Sequence, residues 1–534
     1  MEEAGSVRRK RAGFAAAYVL ATVLAFPHEV GGRVLDFGLA FAFAPPALLC
    51  LALRGLAPRR AAGVGFALGT LAHALVWHWI WVVTVRYGHA PEWAGVGAPL
   101  LLATYPGLFV GAFAAASAAL ATPAKQPGPF TLAALWTACE HARSFFLTGF
   151  PWGTLGYAQH QNPALLGLAS LTGVYGLSFA VALGSASVLE LALRGEPGRS
   201  ARRAALGFAA LLALHAIGLA VRQPAAPGTA SLRIAVLQGN IDQGVKWSPD
   251  WAERTVRIYE RLSREAAARG AKLIVWPETA LPGAPDGEPE LEARLAALAQ
   301  ETHAALLVGA VGLRFDANGY VADLYDSALL YDEHGARLDR YDKSHLVPFG
   351  EYLPLRSLFG RFIRALATGA TSRDVGVGPG PRALALPDPG AGEPVVTLGV
   401  PICYELLFPN LVRRFEGGGA QVLLAITNDA WYGRTGAPHQ FLAITALRSA
   451  ENGLWTARAA NTGVSALIDA RGEVRERTGL FEEGLLVGDV PLRDASRPPT
   501  LYARAGEWLP LGCWLASTGL VAGAGRRRRA GSAA

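Results

Sequence analysis

The chain contains long apolar segments at both ends and a central stretch in which short apolar runs alternate with polar ones. A membrane-spanning helix needs about 20 consecutive apolar residues. Segments of this kind lie at 13–27, 35–53, 63–84, 98–122, 130–148, 166–192, 204–221 and 508–524. The pattern therefore predicts an α-helical bundle with about eight spans, seven of them in an N-terminal membrane domain over 1–222. The eighth lies in a C-terminal segment over 505–534, which ends in a basic tail.

Residues 230–493 have the mixed composition of a soluble domain. Strand-like apolar runs alternate there with segments whose apolar residues recur at helical spacing. The predicted strands are Leu232–Gln238, Lys272–Trp276, Ala305–Val311, Asp323–Tyr331, Val395–Ile402, Val422–Thr427, Leu454–Ala459 and Val464–Asp469, and the predicted helices are Asp250–Gly270, Glu288–Gln300 and His439–Glu451. This alternation indicates an α/β layered domain. The Pro/Ala/Gly-rich stretch Gln223–Ser231 is interpreted as its linker.

Composition and charge favour a membrane protein over one that binds nucleic acid. Of the 534 residues, 51% are hydrophobic and 17% are charged, whereas soluble domains carry about 25% charged residues. The formal net charge is +7, but the arginines form short clusters between apolar segments rather than one basic face. Of the four cysteines, only Cys403 lies in the soluble domain, so a disulfide framework is not expected.

The basic residues also predict an orientation, because cytoplasmic loops are enriched in lysine and arginine. With both termini in the cytoplasm, sixteen basic residues between or beside the spans lie inside, and only Arg33 and Arg86 lie in the short outside loops. The sixteen are Arg8, Arg9, Lys10, Arg11, Arg54, Arg59, Arg60, Lys125, Arg194, Arg199, Arg202, Arg203 and Arg526 to Arg529. We therefore expect residues 230–493 to lie outside the inner membrane, in the periplasm.

Reactive side chains follow several of the predicted strands. Glu278 follows Lys272–Trp276, Cys403 ends VTLGVPIC, and Asn428 with Asp429 ends VLLAIT, while Lys343 comes after the strand that ends at Tyr331. Functional groups gather beyond the carboxyl ends of strands in such sheets. A carboxylate can take the proton of a thiol, and an ammonium group can stabilise the oxyanion that forms when the thiolate attacks an acyl carbon. Each residue alone is equally compatible with a structural cysteine, a surface carboxylate and a solvated lysine.

The flanks of these residues resemble the nitrilase, or carbon–nitrogen hydrolase, superfamily. The matching stretches are WPET around Glu278, YDKSHLVPFGEYLP around Lys343 and GVPICYELLFP around Cys403. The resemblance implies an α-β-β-α sandwich with a Glu-Lys-Cys catalytic triad. It implies neither a cofactor nor a metal site.

The whole chain further resembles the apolipoprotein N-acyltransferase family. QGNIDQGVKW, which ends at Trp247, is similar to that family's domain start, and LTGFPWGTLGY, with Phe150 and Trp152, is similar to its loop after the fifth span. The resemblance implies a phospholipid acyl donor, phosphatidylethanolamine, and a diacylglyceryl apolipoprotein as acceptor.

The same resemblance implies roles for further residues of the soluble domain. Glu351 and Glu405 would support the lysine and the base, and Tyr404 and Trp247 would line the substrate pocket. Phe150 and Trp152, in an outside loop, would contact lipid at the headgroup level. Leu353–Leu366 mixes apolar residues with three arginines and is compatible with an interfacial arm or with an ordinary amphipathic helix.

Two other functions share part of this pattern. A membrane-tethered nitrilase-type amidase would have the same triad but act on small amides. A transporter or membrane scaffold with an inactive soluble module would need no triad, and the chain shows no internal duplication of the kind common in transporters.

Overall fold

The computed structural model describes residues 2–122, 126–193, 197–222, 230–354, 374–387 and 395–533. The chain divides into two compact units. The first comprises 1–81, 93–222 and 505–534, and the second comprises 82–92 and 223–504. Two predicted segments lie mostly outside the described residues. They are the linker, at 223–229, and the 353–366 arm, at 355–366.

The first unit is almost entirely helical. Its helices are Glu2–Leu24, Gly38–Phe41, Pro45–Leu53, Pro58–Val76, Glu92–Leu120, Pro129–Ala142, Pro163–Thr172, Val174–Ala192, Pro197–Val221 and Trp508–Ala533, and its two short strands are β1 (His28–Val30) and β2 (Arg33–Leu35). Among the described residues, three helices are long and apolar enough to cross a membrane: Glu92–Leu120, Val174–Ala192 and Gly198–Val221.

Several of the predicted spans are not continuous helices; besides the two described next, the α-helix in 63–84 ends at Val76 and the one in 130–148 ends at Ala142. The segment 35–53 contains the end of β2 and two separate helices, the second of which begins at Pro45 and Pro46. Proline lacks a backbone N–H and disfavours helical geometry in the residue before it, so a helix starts here rather than continuing. The segment 166–192 is divided at Gly173, whose φ of 65° interrupts the helical backbone. Three candidate spans are thus found where eight were predicted.

The second unit contains two six-stranded sheets and the α/β fold expected from the sequence. The strands are β3 (Ser231–Gln238), β4 (Leu273–Val275), β5 (Ala305–Phe315), β6 (Val321–Tyr331), β7 (Arg337–Asp342), β8 (Leu384–Pro387), β9 (Val395–Gly399), β10 (Val422–Thr427), β11 (Thr456–Ala460), β12 (Ala466–Ile468), β13 (Val474–Arg477) and β14 (Gly484–Pro491). One sheet has the order β14-β3-β4-β5-β6-β7 and the other β13-β12-β11-β10-β9-β8. In each sheet, three central strands are parallel: β3, β4 and β5 in the first, and β9, β10 and β11 in the second.

Helices cover the outer faces of these sheets. They are Pro249–Ala268 and Pro289–Thr302 on the first sheet, and Pro409–Gly417 and Ala437–Asn452 on the second. Tyr259 stacks on Trp276 with ring centroids 4.9 Å apart, and the Trp276 indole donates to Ser263. These contacts join a helix face to β4.

The inner faces of the two sheets meet through polar contacts as well as apolar ones. The Gln238 side-chain oxygen accepts hydrogen bonds from the Ser465 hydroxyl at 2.7 Å and from the Thr478 hydroxyl at 2.8 Å. Buried polar groups that have their partners fix one register between the sheets. The carboxyl ends of β4, β9 and β10 can therefore be held at defined positions relative to one another.

Candidate active site

Glu278 lies in the loop directly after β4, in a buried turn. One carboxylate oxygen accepts a hydrogen bond from Lys343 Nζ at 2.9 Å, and the other accepts one from the backbone N–H of Asn428 at 2.6 Å. Asn428 follows β10 in the second sheet, so Glu278 bridges the two sheets. This geometry presents an oriented carboxylate at the end of β4.

Lys343 follows β7, not the β6 strand after which the sequence placed it. The strand Arg337–Asp342 is polar and half-buried at every position except the buried Tyr341, so no apolar run reveals it. The Lys343 side chain is 0% exposed, and its Nζ donates to Glu278, to Asp326 at 3.1 Å and to Glu351 at 2.5 Å. An ammonium group has three N–H donors, so a carboxyl oxygen faces each one.

Cys403 begins a 3₁₀ turn, Cys403–Leu407, after β9. Its φ of 47° is in the left-handed region that non-glycine residues rarely adopt. Strained backbone of this kind clusters at active sites. The thiol lies close enough to Glu278 and Thr427 to interact with both side chains, and the residue is 8% exposed. The structure thus brings Glu278, Lys343 and Cys403 together.

The electrostatics of these groups set their resting protonation states. Burial alone would raise the pKa of Glu278, but the Lys343 ammonium and hydrogen bonds from Asp326, Lys343 and Cys403 outweigh it and lower the pKa to about 2. Burial, together with the negative charge of Glu278, raises the pKa of the Cys403 thiol well above its ordinary value. At neutral pH the resting pair is therefore an ionised Glu278 and a protonated Cys403.

Glu351 and Glu405 support the site in different ways. Glu351 contacts Lys343 directly, and its second oxygen accepts the Val347 N–H at 2.8 Å. Glu405, which the sequence suggested as support for the base, is placed instead between the cysteine turn and the lysine segment. It accepts the Ile402 N–H at 2.9 Å and, each at 2.7 Å, the Ser344 N–H, the Ser344 hydroxyl and the Tyr341 hydroxyl.

Tyr404 lies beside the nucleophile in a small aromatic cluster. Its ring stacks on His345, with centroids 5.7 Å apart, and meets Phe408 edge-on at 5.2 Å. Burial and the nearby Lys343 charge lower the pKa of His345 to about 4, so its imidazole is neutral at pH 7. The cluster forms an apolar wall next to Cys403.

Trp247 is 52% exposed and lies in the segment after β3. The neighbouring Lys246 is only 1% exposed, and its Nζ lies 5.5 Å from the Trp247 ring centroid. Lys246 donates to the Thr279 hydroxyl at 2.6 Å, next to Glu278. Burial lowers the pKa of Lys246 to about 8, although the charges of Glu278 and Asp326 oppose this.

Phe150 and Trp152 belong to the first unit and pack among its aromatic residues. Trp152 is buried against Trp79, with centroids 4.7 Å apart, and Phe150 meets Trp77 edge-on at 4.8 Å. Polar contacts hold their loop, since Arg143 donates to the Thr154 hydroxyl at 3.1 Å and Glu140 accepts the Leu155 N–H at 2.9 Å. Lipid contact by Phe150 and Trp152 stays a prediction.

Two charged residues of the site were missed in the sequence. Asp326 is on β6 at the point where the strand becomes buried, and a carboxylate at the start of an apolar run was the available signal. Lys246 precedes Trp247 in a motif singled out for its tryptophan alone. Asn428 was noted at a strand end, but its backbone contact with Glu278 depends on the packing of the two sheets.

Comparison with known proteins relates both parts of the chain to one family. Residues 233–497 match the carbon-nitrogen hydrolase model, and residues 19–187 match the apolipoprotein N-acyltransferase N-terminal domain. The apolipoprotein N-acyltransferase of Geobacter metallireducens is 38% identical over 91% of this chain and 91% of that protein. The chain belongs to the apolipoprotein N-acyltransferase family. The family's enzyme from Azotobacter vinelandii is 35% identical over 86% of each chain.

Among solved structures, the chain is similar to an amidase from Nesterenkonia AN1 of the nitrilase superfamily. The match has 21% identity and a TM-score of 0.37, and it covers 55% of this chain and all of the amidase. As a member of the apolipoprotein N-acyltransferase family, the chain is an acyltransferase with a catalytic domain of the carbon–nitrogen hydrolase type.

Proposed function

We propose that this chain transfers a fatty acyl group from a phospholipid to the α-amino group of the N-terminal diacylglyceryl-cysteine of an apolipoprotein. The acyl group is carried as a thioester on Cys403. The observation that carries the proposal is the contact of Glu278 with both Lys343 and Cys403, in a chain whose relatives are apolipoprotein N-acyltransferases.

In the first half-reaction, Glu278 takes the thiol proton as the Cys403 sulfur attacks the ester carbonyl of the phospholipid. The C–S bond forms, and the carbonyl oxygen becomes an oxyanion. Because all three Lys343 N–H bonds point to carboxyl oxygens, Lys343 stabilises this oxyanion by charge, while a backbone N–H of the cysteine turn donates a hydrogen bond. The ester C–O bond then breaks, and Glu278 returns the proton to the lysophospholipid alkoxide.

In the second half-reaction, the lipoprotein amine attacks the thioester carbonyl. The C–N bond forms, the C–S bond breaks, and Glu278 moves one amine proton to the departing sulfur. The amide product leaves, and the thiol is restored. One base thus serves both steps, as general acid–base catalysis in a two-step transfer requires.

The substrates are a phospholipid donor, phosphatidylethanolamine, whose sn-1 acyl group is transferred, and a diacylglyceryl apolipoprotein acceptor. Trp247 and Tyr404 contact the substrates in the second unit, and Phe150 contacts lipid in the first, where the buried Trp152 packs beside it. The apolar wall of Tyr404, His345 and Phe408 next to Cys403 supports an acyl substrate. The reaction as written needs no cofactor or metal.

The proposed arrangement in the membrane follows from charge and hydropathy. Residues 1–222 form the N-terminal membrane domain with about seven spans, 230–493 the periplasmic catalytic domain, and 505–534 the last span and a cytoplasmic tail. Eight spans in the bacterial inner membrane, with both termini in the cytoplasm, are consistent with the distribution of basic residues.

The test is to incubate the purified full-length protein with phosphatidylethanolamine vesicles, without any acceptor, and to measure the intact mass. We expect the mass of one fatty acyl group, linked as a thioester, and no adduct on a Cys403→Ala variant. A short acyl adduct formed only from a small amide would indicate a tethered amidase. If neither substrate formed an adduct, the result would favour the scaffold alternative and would contradict the proposal.

A further inference from the structure

Three carboxyl groups surround the single ammonium group of Lys343. Glu278, Asp326 and Glu351 each contact its Nζ, and one oxygen from each lies within 4.8 Å of the others. If all three were ionised, the buried site would hold three negative charges against the one positive charge of that ammonium. Carboxylates that share a site cannot all ionise, so one retains its proton.

The hydrogen bonds of the three carboxyl groups identify the one that holds the proton. Both oxygens of Glu278 and both oxygens of Glu351 accept N–H donors, and such donors stabilise the ionised form. Asp326 has one N–H donor, Lys343, on its Oδ2. Its Oδ1 is buried and has no N–H donor within the described part of the chain.

The position of Asp326 gives that proton an acceptor. One of its carboxyl oxygens lies within 4.8 Å of a Glu278 oxygen in this buried site, where two ionised carboxylates would repel each other. Burial raises the pKa of Asp326 well above its ordinary value; the Lys343 ammonium opposes the rise, and the charges of Glu278 and Glu351 add to it. Another charged group that faces Asp326 is Lys246.

We propose that Asp326 is a positioning residue that stays protonated at neutral pH and donates a hydrogen bond to the Glu278 carboxylate. The protonation of Asp326 does not depend on the proposed function; only its consequence for catalysis rests on that function. With Asp326 neutral, Glu278 has the charge that takes the Cys403 proton, and its orientation is fixed from three sides by Lys343, Asn428 and Asp326. Asp326 itself gives up no proton during the transfer.

The first test needs no substrate, so its outcome is independent of the proposed function. The full-length protein, purified in an ester-free detergent, is compared by infrared spectroscopy at neutral pH with Asp326→Asn. We expect a protonated-carboxyl carbonyl band that is lost in this variant. Asp323→Asn, three residues earlier on β6 and paired with Arg314, is the matched control and should retain the band. A band that persists in Asp326→Asn, or that is lost in Glu351→Gln instead, would overturn the assignment.

The second test uses rescue by the neutral, isosteric side chain. Asp326→Ala should slow acyl-enzyme formation by about 10²-fold, the scale of a catalytic group that is misplaced by about 1 Å. Asp326→Asn keeps a neutral N–H donor toward Glu278 and should restore most of this loss, with thermal unfolding confirming that both variants fold. If Asp326→Asn were as slow as Asp326→Ala, the aspartate would act through its charge and the proposal would be wrong.

Discussion

Glu278 combines two properties that burial usually opposes. It is 6% exposed, yet the charge of Lys343 and the interactions with Lys343, Asp326 and Cys403 keep its pKa low. A buried carboxylate that is charged and oriented takes a proton without first having to lose water. The chemistry of the site therefore depends on the donors around this one carboxylate as much as on the carboxylate itself.

The first prediction concerns the charge of Glu278. Glu278→Gln keeps the size of the side chain but cannot take a proton, so acyl-enzyme formation should fall by about 10²-fold or more. Because a lowered pKa keeps the wild-type carboxylate ionised until the pH approaches about 2, the wild-type acylation rate should be level between about pH 4 and pH 7. Rates are measured from the thioester mass, with the exposed Glu290→Gln as control. A wild-type rate that halves near pH 4.5, the ordinary value for glutamate, would contradict this.

The turn Cys403–Leu407 is the element that carries the nucleophile, and one buried side chain anchors it. Glu405 joins the residue before Cys403 to Ser344, the residue after Lys343. Two segments from different sheets are thereby held at a fixed separation. The distance between nucleophile and ammonium thus depends on a residue that contacts neither.

The second prediction separates this anchoring from chemistry. In Glu405→Gln, an NH₂ group replaces one carboxylate oxygen and cannot accept the hydrogen bonds that this oxygen accepted. Each buried donor left without a partner lowers the free energy of unfolding by about 1–3 kcal/mol. We expect a lower free energy of unfolding and slower acylation at saturating phospholipid, both measured on the purified protein. Tyr341→Phe removes one donor instead of the acceptor and should cost less in both measurements. Equal losses in the two variants would show that Glu405 has no special anchoring role.

At the level of elements, the sequence revealed eight of the twelve described strands of the second unit and missed β7, β8, β13 and β14. β10 is predicted to the residue, because Val422–Thr427 is an uninterrupted apolar run buried at every position. β7 and β13 were missed, since RLDRYD and VRER are polar edge or near-edge strands paired through their backbones. The residues proposed as catalytic were chosen from their flanking motifs, and the structure brings them together. Asp326 could not, because its importance comes from packing against Lys343, which no sequence pattern shows.

At the scale of the whole molecule, the predicted orientation depends less on helix boundaries than the predicted number of spans does. Broken helices such as those on either side of Gly173 show that an apolar segment can contain more than one helix. The bias of basic residues does not depend on where each helix begins or ends. It therefore supports a separate prediction about the side of the membrane on which the catalytic domain lies.

That prediction can be tested by labelling single cysteines in cells with a membrane-impermeant maleimide. In a background without Cys50, Cys139 and Cys513, Asn318→Cys places a thiol in the exposed turn between β5 and β6, and Gly198→Cys places one at an exposed position with free space around it. A periplasmic catalytic domain requires labelling of Asn318→Cys once the outer membrane is permeable, whereas Gly198→Cys should react only after lysis. The parent protein, in which Cys403 is the one remaining cysteine, is the control for labelling of Cys403 itself. The reverse pattern would place Cys403 on the cytoplasmic side, where sixteen basic residues would have to lie outside against the positive-inside rule.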